Sequence, residues 1–210
     1  MISPEKQIIL IIISYLIGSI STSTIICRIK NVDIKKIGSG NAGATNTVRA
    51  LGKKYGAIVL ILDILKGTLP TMIAKILSPE LLILPIACAF STVAGHVFPI
   101  YFSFKGGKGA ATFIGTILVI FPLGAFICFL TWISVLILSG YVGLATVIAA
   151  VIFPISIFLF ADSSLLFFGL ASMSFVLIAH YNNIIRLIKG KESRFEKIHL
   201  FNSNSFWYKK

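Results

Sequence analysis

The sequence predicts an all-α integral membrane protein with seven transmembrane helices, some of them short, its N-terminus outside and its C-terminus in the cytoplasm. Three observations predict it. Hydrophobic residues fill 57% of the 210 positions and charged residues only 12%, mean hydropathy is +0.96, and the apolar residues fall in runs long enough to cross a bilayer. A soluble domain carries about a quarter of its residues as charge, and a spanning helix needs roughly 20 apolar residues. The net charge of +12 does not point to nucleic acid, because the basic residues sit in clusters between apolar runs instead of covering a hydrophilic surface.

The spans follow in chain order. The first runs at about 7 to 27, the second 55 to 77 and the third 81 to 103. The first lacks a basic leader and a small-residue cleavage site, so it reads as a retained span and not a signal peptide. From 110 to 183 the chain is almost continuously apolar, interrupted at Phe121-Pro122-Leu123-Gly124, Ser139-Gly140 and Ala161-Asp162-Ser163-Ser164. These breaks give spans near 110 to 121, 124 to 139, 141 to 160 and 164 to 183. A re-entrant short pair would lower the count of seven to five.

Orientation follows from lysine and arginine. Arg28, Lys30, Lys35, Lys36, Arg49, Lys53 and Lys54 lie in the first connection, Lys105 and Lys108 in the third, and Arg186, Lys189, Lys191, Arg194, Lys197, Lys209 and Lys210 in the tail. An odd number of spans puts all three clusters on one side, which the positive-inside rule identifies as the cytoplasm. Cys27, Cys88 and Cys128 stand singly in apolar surroundings, without the spacing of a disulfide framework or a zinc site, and read as inert thiols.

Three polar islands remain that membrane insertion does not explain: GSGNAGATNTVR at 38 to 49, FKGGKGAAT at 104 to 112, and HYNNIIRLIKGKE at 180 to 192. All fall on the cytoplasmic face. Each joins flexible backbone or amide side chains to fixed positive charge, the equipment for holding an anion. Three such islands on one face imply one substrate bearing phosphate, or two.

Each island also has a plainer reading. A Walker loop needs a glycine five residues before its Gly-Lys, and Phe102 stands there, so Gly106-Gly107-Lys108 is an anion nest or a generic turn capping the helix at 110. Arg49 alone fits a topology residue; with Ser39, Gly40, Asn41 and Asn46 just upstream it fits a ligand contact. Asp63 and Lys66, three apart, meet on one helical face, either as a functional pair or as a neutralised structural one. His96 and His180 are candidate general bases, although a lone histidine near a span end is commonly structural. Tyr101, Trp207 and Tyr208 read as interfacial aromatics.

Taken together, KIGSGNAGATNTVRALGKKYG at 36 to 56, the pattern Asp63-Lys66-Gly67-Pro70, GHVFPIYFSFKGGKGAAT at 95 to 112 and H-x-x-NI-x-RL-x-x-G-x-E at 180 to 192 resemble the PlsY family of bacterial membrane acyl-phosphate:glycerol-3-phosphate acyltransferases. The likeness is ordered and correctly spaced from about residue 14 to 192. Two departures are Ser21, where the family usually has proline, and Ala179, where it usually has a basic residue.

The resemblance implies transfer of a fatty acyl group from acyl phosphate to the sn-1 hydroxyl of glycerol 3-phosphate. The products are lysophosphatidic acid and phosphate, the first step of phospholipid synthesis. It implies catalytic roles for Ser39, Arg49, His96, Lys108, His180 and Asn183, and phosphate-binding roles for Gly40, Asn41, Asn46, Lys105, Gly106 and Gly107. Structural roles fall to Asp63, Lys66 and Glu192. Neither metal nor cofactor is expected. Residues 1–192 then form one transmembrane catalytic domain of the bacterial cytoplasmic membrane, and 193–210 a basic, aromatic cytoplasmic tail. A soluble acyl-phosphate synthase is a candidate partner, alongside membrane lipid.

Acyltransferases that use acyl-CoA or acyl-carrier protein carry a His-x-x-x-x-Asp motif; the residues five after His96, His180 and His199 are Tyr101, Ile185 and Asn204. Whether Ser39 donates a hydrogen bond or attacks as a nucleophile stays open at this level. A phosphorylated-anion transporter is the competing class, with Asp63 and Lys66 as its pathway, but polar groups crowd at one face and no internal repeat is visible. A nucleotide-dependent enzyme would need a metal carboxylate near the phosphate loops, and Asp33 is the only acid in the first or third connection.

Overall fold

The computed structural model describes residues 2–194, and every regular element among them is helical. The tail expected at 193–210, with Trp207 and Tyr208, lies almost wholly outside the described residues. The first span is two helices, α1 (Pro4–Gly18) and α2 (Thr22–Ile29). Between them Ser21 leaves helical geometry and shares a 2.7 Å hydrogen bond with the Thr24 hydroxyl. A short helix α3 (Ala44–Leu51) precedes α4 (Lys53–Leu77), the second span. The third is α5 (Ile83–Val97), extended by a 3-10 turn at Ile100–Phe102.

After a polar loop come α6 (Ala110–Ile120), α7 (Pro122–Ser139), α8 (Val142–Phe160), α9 (Leu166–Ala179) and α10 (Tyr181–Ile188). Among the described residues five segments are long and apolar enough to cross a membrane, or six if the α9–α10 pair, bent by 61°, is one broken span. The segment expected at 110 to 121 is a helix, but its 11 residues rise only about 16 Å against a hydrocarbon core of about 30 Å. It ends at Phe121 because Pro122 cannot continue an incoming ladder of hydrogen bonds and instead opens α7 at its first turn. The last segment, expected as one helix, breaks at His180.

In lipid, close helix approach depends on small residues at the contact. A Cβ at Gly18 or Gly95 would overlap the facing backbone where α1 crosses α5; Gly67 and Gly115 have the same role where α4 crosses α6. Beneath the polar end lies a core of Phe90, Phe113, Phe153 and Phe168, with ring centroids 5.6 to 6.3 Å apart. Three of these contacts are edge-to-face and one, Phe113–Phe168, is stacked; aromatic pairs of either kind contribute about 0.5–1.5 kcal/mol beyond area burial. That core fixes α5, α6, α8 and α9, and with them the floor of the site.

Candidate active site

The three polar islands come together. Ser39, Asn41, Asn46, Arg49, His96, Lys108, His180, Asn183 and Glu192 line one cavity of about 330 Å³, joined by Asp63. Its other end is apolar, walled by Ile117, Phe129, Trp132, Phe153 and Val176.

The first wall is held by Asn46, 1% exposed. Its Oδ1 accepts from the Ser39 N–H at 3.1 Å, and its Nδ2 donates to the carbonyls of Ile37 and Ile34 at 2.9 and 3.2 Å. One buried amide thus satisfies three backbone groups that a glycine-rich loop leaves without helical partners. Asn46 therefore shapes the loop as well as touching the cavity. Gly38, at φ +54°, is needed because a Cβ there would meet Asn46 Oδ1 and approach Arg49 Cδ to 3.1 Å. Gly40 sits at φ +67° and its N–H is used by the Ile37 carbonyl, so it makes the turn and does not line the cavity. The Ser39 hydroxyl accepts from the Asn41 N–H at 3.4 Å. Among the described residues no histidine or carboxylate is hydrogen-bonded to it.

The second wall corrects two expectations. The N–H groups of Gly106 and Gly107, expected to face a phosphate, donate to the carbonyls of Val97 and His96, each at 3.1 Å. These glycines let the loop lie directly against the end of α5: a Cβ on Gly107 would strike the His96 imidazole and come 2.5 Å from the Ala42 carbonyl. Lys105, also expected at the phosphate, faces a different cavity. Lys108 and Gly109 are the loop residues that reach the site. His96 is buried, with Nδ1 3.1 Å from the Thr112 hydroxyl and 3.8 Å from Asp63 Oδ1. Gly107→Ala is accordingly expected to lower activity more than tenfold by displacing the Ala42 carbonyl and the His96 ring on the cavity wall, with kcat falling along with any rise in KM; an unchanged kcat would show that the seat of this loop against α5 does not set the reaction geometry.

The third wall is a relay. Lys108 donates to Asn183 Oδ1; Asn183 Nδ2 donates to Glu192 Oε1 at 2.6 Å, and Arg186 Nε to Glu192 Oε2 at 2.7 Å. Glu192 thus holds both an amide and a guanidinium through its two carboxylate oxygens. Gly143 on α8 leaves room for this relay, since a Cβ there would lie 2.8 Å from Asn183 Nδ2. His180 caps α10 at the break, its Nδ1 2.9 Å from the Val176 carbonyl. A carbonyl only accepts, so that nitrogen carries the proton and Nε2 of the neutral ring is left as an acceptor.

Arg186 lines the cavity and is the residue that sequence reasoning passed over. It stood in the tail cluster, where a basic residue already had a topological explanation; its place one turn past Asn183 on the same short helix was the available signal. Burial first, and then the nearby positive charge of Arg186, hold Lys108 down at about 8, with Glu192 opposing and Arg49 adding to the depression. Three cations, Arg49, Lys108 and Arg186, therefore face one cavity against Glu192 and Asp63, the second of which is already paired with Lys66. Like charges so gathered favour a bound dianion.

Asp63 and Lys66 do meet, at 2.9 Å, both buried. Asp63 also accepts from the Thr22 hydroxyl at 2.7 Å, and Lys66 donates to the Ile20 carbonyl at 2.9 Å. The pair ties α2 to α4. Among the described residues no three His, Cys, Asp or Glu side chains gather as metal ligands would.

A polar, cationic mouth on an apolar channel can hold a phosphate and a hydrocarbon chain together. The sequence model of a family described as glycerol-3-phosphate acyltransferase matches residues 8–190. A glycerol-3-phosphate acyltransferase of Aquifex aeolicus is 40% identical over 194 residues, covering 90% of this chain and all of the relative. A glycerol-3-phosphate acyltransferase 2 of Bacillus anthracis is 40% identical over 189 residues, covering 90% of this chain and 98% of its own. Among solved structures, crystal forms of the integral membrane glycerol 3-phosphate acyltransferase PlsY superpose with TM-scores of 0.85 and 0.83 at 37% identity, covering 91% of this chain and 96% of theirs. The first is a glycerol 3-phosphate form and the second a lysophosphatidic acid form.

Proposed function

This chain belongs to the glycerol-3-phosphate acyltransferase family, is an integral, multi-pass membrane protein of phospholipid synthesis, and we propose that it moves a fatty acyl group from acyl phosphate to the sn-1 hydroxyl of glycerol 3-phosphate. The observation that carries the reading is the convergence of Arg49, Lys108 and Arg186 at the mouth of a cavity whose far end is apolar. Two phosphate-bearing substrates need that concentration of charge, and the acyl chain needs the channel. The related PlsY forms with glycerol 3-phosphate and with lysophosphatidic acid match the acceptor and the product.

In the reaction proposed, the glycerol hydroxyl oxygen attacks the acyl carbonyl carbon and the bond from that carbon to the phosphate oxygen breaks. The hydroxyl proton passes to the departing phosphate, leaving an ester and inorganic phosphate. Acyl phosphate is a mixed anhydride with a good leaving group, so the protein has mainly to align the hydroxyl and stabilise developing negative charge. Arg49 clamps one phosphate bidentately. Lys108, oriented by Asn183 and Glu192, stabilises the charge that develops on the leaving group. Ser39 and Asn41 donate hydrogen bonds to substrate oxygen, and His180 offers Nε2 should a base be needed. The absence of a base hydrogen-bonded to Ser39 among the described residues favours this direct transfer over an acyl-serine.

The membrane is crossed seven times in this reading, with the 11-residue α6 as the one short crossing, met by local thinning of the bilayer, the N-terminus outside and the site facing the cytoplasm of a bacterial inner membrane. A soluble acyl-phosphate synthase would deliver donor there. The Asp63–Lys66 pair, which a transport pathway would require, has its charges engaged in internal contacts. Purified protein is expected to make lysophosphatidate from palmitoyl phosphate and labelled glycerol 3-phosphate without metal, ATP or acyl-CoA. Product formed only from acyl-CoA or acyl-carrier protein would overturn the donor assignment.

A further inference from the structure

A second cavity, of about 590 Å³, lies on the other side of the loops that wall the reaction site. Arg28, Lys35 and Lys105 line it, with Thr24, Asn31 and Ser103. Asp33 is the single acid on its lining, and that carboxylate already accepts the Lys35 N–H at 3.0 Å and faces the Lys36 ammonium at 3.9 Å. The cavity is therefore left with an excess of fixed positive charge. Burial, and next the charge of Lys105, hold the Lys35 ammonium below the usual lysine range, Asp33 opposing only in part. These cations are not loosely splayed: Lys35 Nζ donates to the Lys105 carbonyl at 2.9 Å, and the Arg28 guanidinium lies 5.4 Å from the Phe102 ring centroid. Asn31 and Ser103 on the lining, and Phe104 beside it, all hold left-handed backbone, a conformation that non-glycine residues keep when the surroundings impose it, commonly around ligands.

The cavity's position identifies the ligand's source. Its rim carries large apolar side chains directed outward, Ile29 at 72% exposed, Phe104 at 57% and Tyr101 at 56%. Outward aromatics beside lysine and arginine mark the level of lipid headgroups. The geometry points to a binding site for the phosphate of an anionic phospholipid headgroup, held by Arg28, Lys35 and Lys105, with the acyl chains against the Ile29 and Tyr101 surface. This site is separate from the reaction cavity. The two nonetheless share walls: Lys105 and Lys108 stand at the two ends of one irregular four-residue stretch and line one cavity each, and Asn46 bonds the Ile34 and Ile37 carbonyls beside Lys35. A lipid bound at the second cavity would hold both loops of the first.

The test uses full-length protein in phosphatidylcholine nanodiscs with a minor fraction of phosphatidylglycerol. Retention of phosphatidylglycerol on extraction is read by native mass spectrometry for wild type, Arg28→Gln, Arg28→Lys, Lys35→Gln and the charge control Lys54→Gln. Arg28→Gln and Lys35→Gln are expected to weaken retention more than tenfold, with Arg28→Lys intermediate and Lys54→Gln unchanged. An equal loss in Lys54→Gln, or no loss in the other variants, overturns the site. In wild type alone, so that no variant's folding matters, photoactivatable phosphatidylglycerol is expected to label residues 24–35 and 101–105; labelling confined elsewhere overturns it. Inorganic phosphate added at millimolar concentration separates the sources: displacement of the lipid and direct phosphate binding that needs Arg28 would assign the cavity to free phosphate and overturn the lipid assignment.

Discussion

Arg49→Ala is expected to reduce kcat/KM by about 10³-fold, the loss seen when one donor to a developing oxyanion is removed, with the protein still folded. Arg49 sits in the last turn of α3 and its stem packs over Gly38, so the guanidinium is delivered to the cavity by a helix on one side and a left-handed glycine on the other. Arg49→Lys should recover little, since a point charge on a flexible stem cannot replace a planar two-pronged donor at a phosphate. Steady-state kinetics in both substrates checks this. Near-normal turnover in the lysine variant would remove the phosphate clamp.

Lys108→Ala should cost about 10²–10³-fold in kcat for a similar reason, and Lys108 additionally predicts a pH profile. The ammonium is the competent form, and burial together with Arg186 lowers its value to about 8. Activity at subsaturating substrate is therefore full below that value and lost as pH rises through it. A bound phosphate dianion favours the charged form, so the same limb in kcat should lie at higher pH than in kcat/KM. Lys108→Arg keeps its charge at any accessible pH; whatever its rate, its profile should lose the limb near 8. Persistence of that limb in the arginine variant would assign it to another group.

Much of the fold is legible in the sequence because a bilayer imposes length and apolarity on whatever crosses it. Phe121-Pro122, Ser139-Gly140 and Ala161 to Ser164 each mark a real helix end, since proline, glycine and an aspartate that accepts a nearby backbone N–H, as Asp162 does from Ser164, all act on the local backbone. The 61° bend at His180 left no such mark. His180 and Asn183 are polar residues placed where an unbroken helix would tolerate them, and the break is a tertiary event in which α10 turns to bring Asn183 to Lys108. The site was legible as three islands, because polarity inside an apolar chain needs a reason. What each island's atoms do was not. Composition marks Gly106 and Gly107 as permissive; it does not tell whether their N–H groups turn toward a ligand or, as here, toward the carbonyls of Val97 and His96. Likewise Lys105 and Lys108 look equivalent in the string FKGGKG, and only the path of the backbone between them sends one to each cavity.

The central claim is that one cavity aligns two phosphate-bearing substrates for direct transfer, with Ser39 as a hydrogen-bond donor. Rapid quench with acyl-labelled palmitoyl phosphate tests it most directly, in the presence and absence of glycerol 3-phosphate. Direct transfer predicts label appearing in lysophosphatidate with no acyl-protein at any time, and Ser39→Ala slowed in that single step. An acyl-protein that forms within one turnover, is consumed by glycerol 3-phosphate and vanishes in Ser39→Ala would contradict it.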